Sequence, residues 1–179
     1  MFRIVGLGAA LASTASAYFH WHGCPKDYKP QATLDVDRYS GTWYEVAVDR
    51  QIPFEFFSKC VMAEYTNNGD GTVKVVNRAY GPRGSTELEG VGVVVNTGDA
   101  SLSIRLGSGT PKPTDKANYT VMDTDYDSYA IFYSCNEFFG GRASFDYLWI
   151  LAREPTLPYE SMLARIETIK ETIPHYNFY

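Results

Sequence analysis

The stretch Gly41-Thr42-Trp43-Tyr44-Glu45, with Val46-Ala47-Val48-Asp49 behind it, decides how this chain folds. It places a glycine before a run of aromatic and β-branched residues, which suit a half-buried pleated surface, and so predicts a strand near 42–49. The whole chain shares this bias: 14 Tyr and 10 Phe help to bring aromatics to 15%. Further strands follow at intervals of about ten residues, the spacing of an all-β barrel or sandwich. They fall near 59–66, 72–79, 86–95, 101–106, 117–123, 129–135 and 145–153. Asn67-Asn68-Gly69-Asp70-Gly71 supplies a tight turn between two of them, because Asn and Gly tolerate the left-handed backbone of hairpin turns.

The last element changes period. Pro158 sits where a first helical turn begins, and Pro174 stops the pattern. Met162, Leu163, Ile166, Ile169 and Ile173 recur at helical spacing, with Glu160, Arg165, Glu167, Lys170 and Glu171 between them. One amphipathic helix over about 158–172 follows. Its apolar stripe reads as a packing face against the outside of the sheet.

Eight strands leave two architectures. A sandwich keeps sheet edges; a closed barrel removes them. In a barrel, alternate residues face the interior. Phe145, Tyr147, Trp149, Leu151 and Arg153 share one face, as do Val73, Val75, Asn77 and Ala79, and Leu102, Ile104 and Leu106. These faces are apolar but dotted with polar groups. A tight core seldom keeps Asn77 and several tyrosines, since buried polar groups need partners. A ligand cavity with a few orienting groups tolerates them. Periodicity alone leaves both architectures standing.

The 179 residues suit one domain with a core large enough to need no metal. Residues 1–17 read as a secretory leader. Arg3 gives the positive start, Ile4 to Leu11 the short apolar core and Ala15-Ser16-Ala17 the cleavage site. The competing reading, a buried N-terminal helix, suits neither the small-residue end nor the polar, Pro-containing sequence after it. The domain is therefore expected over 18–179, with an irregular arm from Tyr18 to Ala32 and the barrel over about 40–153. No other segment approaches membrane-spanning length, so the mature protein is expected to be soluble. The formal net charge is −5, and losing Arg3 with the leader makes it one unit more negative. That balance argues against nucleic acid as a partner and gives no pull towards anionic lipid. Secretion permits disulfides. Cys24, Cys60 and Cys135 allow one bridge and one leftover thiol, and spacing alone does not say which pair forms.

Three separated segments resemble the lipocalin family. Gly41-Thr42-Trp43 stands at the start of the first barrel strand, Thr124-Asp125-Tyr126 at a late turn, and Trp149-Ile150-Leu151-Ala152-Arg153 at the end of the last strand. Within that family the chain is most similar to the apolipoprotein D and insect bilin-binding group. Gly23-Cys24-Pro25, the run Tyr129 to Cys135 and the run Phe145 to Pro158 carry that likeness.

The resemblance implies an all-β, eight-stranded antiparallel up-and-down barrel with one C-terminal α-helix packed on its outside. It gives Gly41, Trp43, Thr124, Asp125, Tyr126 and Arg153 to the fold, with Trp43 closing the floor and Arg153 packing over its ring. It pairs Cys24 with Cys135. Cys60 matches a family cysteine whose partner lies near the C-terminus. This sequence ends at Tyr179 without that partner, so Cys60 is expected as a free thiol. The barrel cysteine of prostaglandin-isomerising lipocalins sits elsewhere, so catalysis by Cys60 is not expected.

Trp149, Asn77 and Tyr65 match pocket positions of apolipoprotein D. For these three, Tyr65 above all, filling a small ligand-free core is the alternative role; Tyr119, Val121, Tyr129, Ile131 and Tyr133 are secondary pocket candidates. In an up-and-down barrel alternate loops share an end, so the loops bearing Phe54 and Phe57 and Phe138-Phe139 belong to the mouth. Three roles compete for these aromatics: a lid, a membrane or lipoprotein contact, or a dimer contact. The first two are preferred. Asn118-Tyr119-Thr120 is an N-glycosylation sequon. With Tyr119 inward, Asn118 and Thr120 would face out and leave room for a glycan, although a sequon within a strand is used less often than one in a loop.

Signals of catalysis are thin: no G-x-S-x-G, H-E-x-x-H or P-loop pattern occurs. His20 and His22 lie in the arm beside a cysteine expected in a bridge, so no metal site is expected. The expected function is extracellular binding and transport of a small hydrophobic ligand such as a lipid, sterol, retinoid or bilin, without enzymatic activity. The alternatives are a barrel enzyme on a lipophilic substrate and a pigment-binding structural subunit. No cofactor is required, though a bound lipid or chromophore fits. A monomer or weak dimer is expected.

Overall fold

The computed structural model describes residues 19–48, 58–95, 98–107 and 116–176. The leader and the loop bearing Phe54 and Phe57 lie outside the described residues. A two-residue strand, β1 (Phe19–His20), and a single turn of helix, α1 (Val36–Tyr39), precede the barrel. Neither is long enough to show a period, so neither is visible in the pattern of the sequence. The barrel strands are β2 (Gly41–Val48), β3 (Lys59–Asn67), β4 (Thr72–Gly81), β5 (Gly84–Val94), β6 (Ser101–Leu106), β7 (Tyr119–Thr124), β8 (Tyr129–Phe138) and β9 (Ala143–Ala152). Helix α2 (Tyr159–Thr172) follows.

Each barrel strand pairs antiparallel with the next, and β9 pairs with both β2 and β8, which closes the ring. Closure excludes the sandwich. β9 meets β2 through Trp149 to Ala152, while Phe145 and Ser144 nearer the mouth take β1 as partner instead. The strand directions put Val48 and Lys59, Gly81 and Gly84, Leu106 and Tyr119, and Phe138 and Ala143 towards one end, the mouth. The other end holds α1 and the Asp125–Ser128 turn.

Close strand approach has its own requirement on β5. A Cβ on Gly90 would stand 2.1 Å from the Arg105 carbonyl oxygen and 2.8 Å from Leu106 Cδ2. Glycine is therefore what lets β5 and β6 lie this near each other.

Two apolar cores result, one on each side of the barrel wall. The inner one gathers Tyr39, Trp43, Tyr65, Val75, Leu102, Val121, Phe132 and Trp149, among others. The outer one lies under α2 and joins Ile169 and Ile173 to Met122, Tyr129, Ile131, Tyr133, Leu148 and Ile150. Arg165 adds a cation 3.7 Å over the Tyr129 ring.

This outer core corrects the sequence reading of β8. Tyr129, Ile131 and Tyr133 were expected in the pocket, but they face out, beneath the helix. Ala130 and Phe132 point inward in their place. Tyr133 donates a hydrogen bond to buried Asp146 at 3.0 Å, on the outside of the barrel. The physical reason is that β8 is apolar on both faces, so alternation has no sign to read. A register shift in the β7–β8 ladder between Val121 and Asp123 further decouples the parity of the two strands.

Candidate functional site

The inside of the barrel is built upward from its floor. Asp35 caps α1 by accepting from the Arg38 N–H at 3.1 Å, and the short helix ends on Tyr39. Gly41, at φ +100, takes the chain from helix into strand in a backbone region that favours glycine. Trp43 is fully buried two residues later, and its indole N–H donates to the Tyr39 carbonyl at 2.8 Å. Tyr39 stacks at a tilt on Trp43 and edge-on against Tyr65, each pair with centroids 5.1 Å apart. The Arg153 guanidinium lies 3.8 Å over the Trp43 ring. These rings form a solid floor.

The Thr124-Asp125-Tyr126 turn braces that floor from outside. The Asp125 carboxylate accepts from the backbone N–H groups of Asp127, Ser128 and Tyr129 and from the Ser128 hydroxyl. Burial raises its pKa, but these donors outweigh burial and hold the carboxyl below the usual range. Thr124 Oγ1 accepts from the Tyr126 N–H and donates to the Tyr129 carbonyl. The Tyr126 hydroxyl reaches the arm, accepting from Gln31 at 2.8 Å and from the Asp35 N–H at 3.1 Å.

Above the floor lies a cavity of about 330 Å³, within the usual range of ligand pockets. Trp149 and Leu151 of β9, Phe132 of β8 and Tyr119 of β7 form one wall. Val61, Ala63 and Tyr65 of β3, with Val75 and Asn77 of β4, form the facing one. Leu88, Ile104 and Leu106 complete the ring, and Glu45 of β2 adds a carboxylate. Tyr119 and Phe132 stack at 5.2 Å with planes 14° apart, and Trp149 tilts against both. The result is a broad flat aromatic surface facing an aliphatic one.

Polar groups are few in this space. Asn77 Oδ1 is buried and has no hydrogen-bond partner among the described residues. Such an atom costs free energy unless something donates to it. Burial, and then neighbouring Tyr119, push the Tyr65 phenol pKa well up, so it stays a neutral hydroxyl.

The four sequence candidates Trp149, Asn77, Tyr65 and Tyr119 all line this cavity. Val121 is fully buried in the inner core with the floor residues and is not part of the lining. Tyr129, Ile131 and Tyr133 lie on the far side of the wall, as described above. Sequence reading missed Phe132 and Glu45. The signal for Glu45 was available, because it shares the parity of Trp43 two residues away.

At the mouth, Phe139 is exposed, while Phe138 is half-exposed and packs edge-on against Phe145 at 5.4 Å. Cys60 is a free, exposed thiol in the β3–β4 bulge and stands apart from the cavity lining. Cys24 and Cys135 are joined in a disulfide.

The Asn118 expectation needs correction in one respect. Its side chain is not simply outward and available: both ends of the amide are bonded to the backbone of Ile104. Thr120, the third residue of the sequon, is buried.

Comparison with known proteins agrees with this geometry. The Lipocalin-like domain family matches residues 34–173. Apolipoprotein D of Rattus norvegicus is 35% identical over 159 residues, covering 87% of this chain and 79% of that protein. The outer membrane lipoprotein Blc of Vibrio cholerae is 32% identical over 152 residues, covering 83% and 82%. Among solved structures, insecticyanin of the tobacco hornworm Manduca sexta superposes with a TM-score of 0.72 at 23% identity, covering 87% of this chain and 82% of that one.

Proposed function

The chain belongs to the lipocalin family, and from that premise we propose that it binds and carries a small apolar ligand in its barrel, outside the cell. The observation that carries this reading is the cavity inside the barrel. Its aromatic wall offers flat apolar contact, and Asn77 Oδ1 offers an acceptor that the protein leaves unmet. A ligand with a hydroxyl or N–H group satisfies that atom while its body lies on Trp149. Lipids, sterols, retinoids and bilins are the ligand classes in view.

Carriage fits better than catalysis, because the one free thiol of the chain lies outside the cavity lining. No cofactor is needed, and a lipid or chromophore held in the barrel would be cargo. The disulfide supports secretion, since such bridges persist in oxidising surroundings.

Protein purified from its source, examined by visible spectroscopy and by mass spectrometry of an organic extract, identifies the cargo. Retinol serves as a fluorescent probe of the same cavity. Trp149→Ala should weaken retinol binding about tenfold, because a large apolar contact is lost. Equal affinity in the variant would place the ligand elsewhere.

The mouth carries a second part of the proposal. Phe138 and Phe139, with Phe54 and Phe57 of the loop outside the described residues, touch a membrane or lipoprotein when cargo is exchanged. The Phe54→Ser, Phe57→Ser double variant should show weaker ligand retention or weaker binding to phosphatidylcholine vesicles. Unchanged values for both sink this part.

A further inference from the structure

The seam between β6 and β7 pairs at only two positions, Ser101 with Thr120 and Leu102 with Tyr119. Nearer the mouth, β6 runs on to Leu106 without a strand partner on this side among the described residues, and the side chain of Asn118 takes that role. Its Oδ1 accepts from the Ile104 N–H at 2.8 Å, and its Nδ2 donates to the Ile104 carbonyl at 2.9 Å. The Asn118 backbone is held too: its N–H donates to the Leu102 carbonyl, and its carbonyl accepts from the Ser134 hydroxyl. One amide thus replaces a strand residue. Ile104 and Leu106 on one side of the clasp and Tyr119 on the other line the cavity, so the clasp holds shut part of the cavity wall.

The geometry of the clasp limits the chemistry of Asn118. Bonding the N–H and C=O of one residue together requires that Oδ1 and the donated hydrogen lie side by side. That hydrogen is the one on the Oδ1 side of the planar amide; the other points back along the side chain. N-glycosylation replaces a hydrogen of the same nitrogen. A secondary amide places its carbon substituent on the oxygen side, avoiding the cis form that costs about 2.5 kcal/mol. The sugar therefore takes the position that the clasp uses.

We propose that Asn118 is a lock on the barrel wall, and that its N-glycosylation and closure of the β6–β7 seam are mutually exclusive. In the modification, an Nδ2–H bond breaks and an Nδ2–C1 bond forms. The C1–O bond of a pyrophosphate-activated sugar breaks, its electron pair leaves with the phosphate, and the proton passes to a base. The buried Thr120 hydroxyl, 3.4 Å from Ser101 Oγ, closes the sequon once the barrel has formed. Folding and glycosylation thus compete for one side chain before the seam shuts. The glycan half rests on the secreted reading above; the clasp does not.

The Ile104 amide reports on the lock directly, because its hydrogen goes to Asn118 Oδ1. In the unmodified protein it should exchange slowly with deuterium. Asn118→Ala should speed that exchange about tenfold or more, the effect of losing two modest hydrogen bonds. If that variant does not fold, Asn118→Ser, which withdraws both arms of the clasp while keeping a small polar side chain, serves instead. Protein secreted from eukaryotic cells should carry little sugar at Asn118. Occupancy should rise when dithiothreitol delays folding by keeping Cys24 and Cys135 apart, and the glycosylated form should exchange at Ile104 as fast as the Ala variant. Full occupancy with a protected Ile104 amide overturns the proposal, as does occupancy that dithiothreitol leaves unchanged, or an Ile104 amide that no variant exposes. Failure of the protein to reach the medium would count against secretion instead, leaving the clasp to be judged on the variants.

Discussion

Replacing Cys24 and Cys135 together by Ser should lower the unfolding free energy by about 2–5 kcal/mol. The two residues lie 111 positions apart, and in the chain-entropy model a loop near that length is worth about 4.7 kcal/mol through its effect on the unfolded chain. Local contacts point the same way. The bridge holds the arm against β8, where the Cys24 N–H donates to the Glu137 carboxylate at 3.0 Å. Further along the arm, Lys29 donates its N–H to the Thr172 carbonyl at the end of α2. Gln31 donates to the Val121 carbonyl and accepts from the Ala100 N–H, so the arm also joins β7 to the segment before β6. Freeing Cys24 loosens the start of this tie without removing it. Urea unfolding, read with and without dithiothreitol in a Cys60→Ser background that prevents thiol exchange, tests the expectation. The reductant should move the bridged protein to the midpoint of the Ser variant. Coincident midpoints before reduction would mean that the bridge contributes nothing to stability.

What the sequence made legible follows from where one physical signal stood alone. β4 alternates cleanly enough for Val75 and Asn77 to be assigned to one face, and they line the cavity, whereas β9 is apolar on both faces and Trp149 was placed there by its resemblance to the family. The helix was readable because Ile169 and Ile173 keep a 3.6-residue period over a polar background. β8 was not, because α2 covers its outer face and the cavity its inner one. Tyr129, Ile131 and Tyr133 then look as inward as Ala130 and Phe132. Only the partner of each face, a tertiary fact, separates them. The engagement of Asn118 was hidden for another reason. A sequon is a statement about three residue types, whereas its use depends on whether an amide hydrogen is already engaged. Glu45 was passed over because a carboxylate is ordinarily read as solvent-facing, although parity with Trp43 points it inward.

Arg153→Ala should cost about 2–4 kcal/mol, the size expected when a half-buried cation that bonds several backbone carbonyls is removed. The guanidinium serves four carbonyls from three segments. Its Nε donates to Tyr126 at 2.9 Å and its Nη1 to Thr42 at 3.0 Å; its Nη2 donates to Arg38 at 2.7 Å and Tyr39 at 3.4 Å. Those segments are the turn before β8, the start of β2 and the end of α1. Removing the side chain leaves their carbonyls short of donors and strips the cation from the Trp43 face. Burial already lowers the Arg153 pKa from its ordinary value, as expected of a charge held in a partly dry site by hydrogen bonds. Arg153→Lys should recover only a part, since one ammonium cannot reach carbonyl acceptors spread around a planar fork. Two measurements together decide the role. Urea unfolding of both variants should show the loss of stability, with Lys between Ala and the parent. Retinol affinity of the folded fraction should change little, because Arg153 lies under the floor and outside the cavity lining. A variant that keeps its stability but loses retinol would mean that the arginine acts on the ligand through the floor, and the division between a structural base and a binding chamber above it would fall.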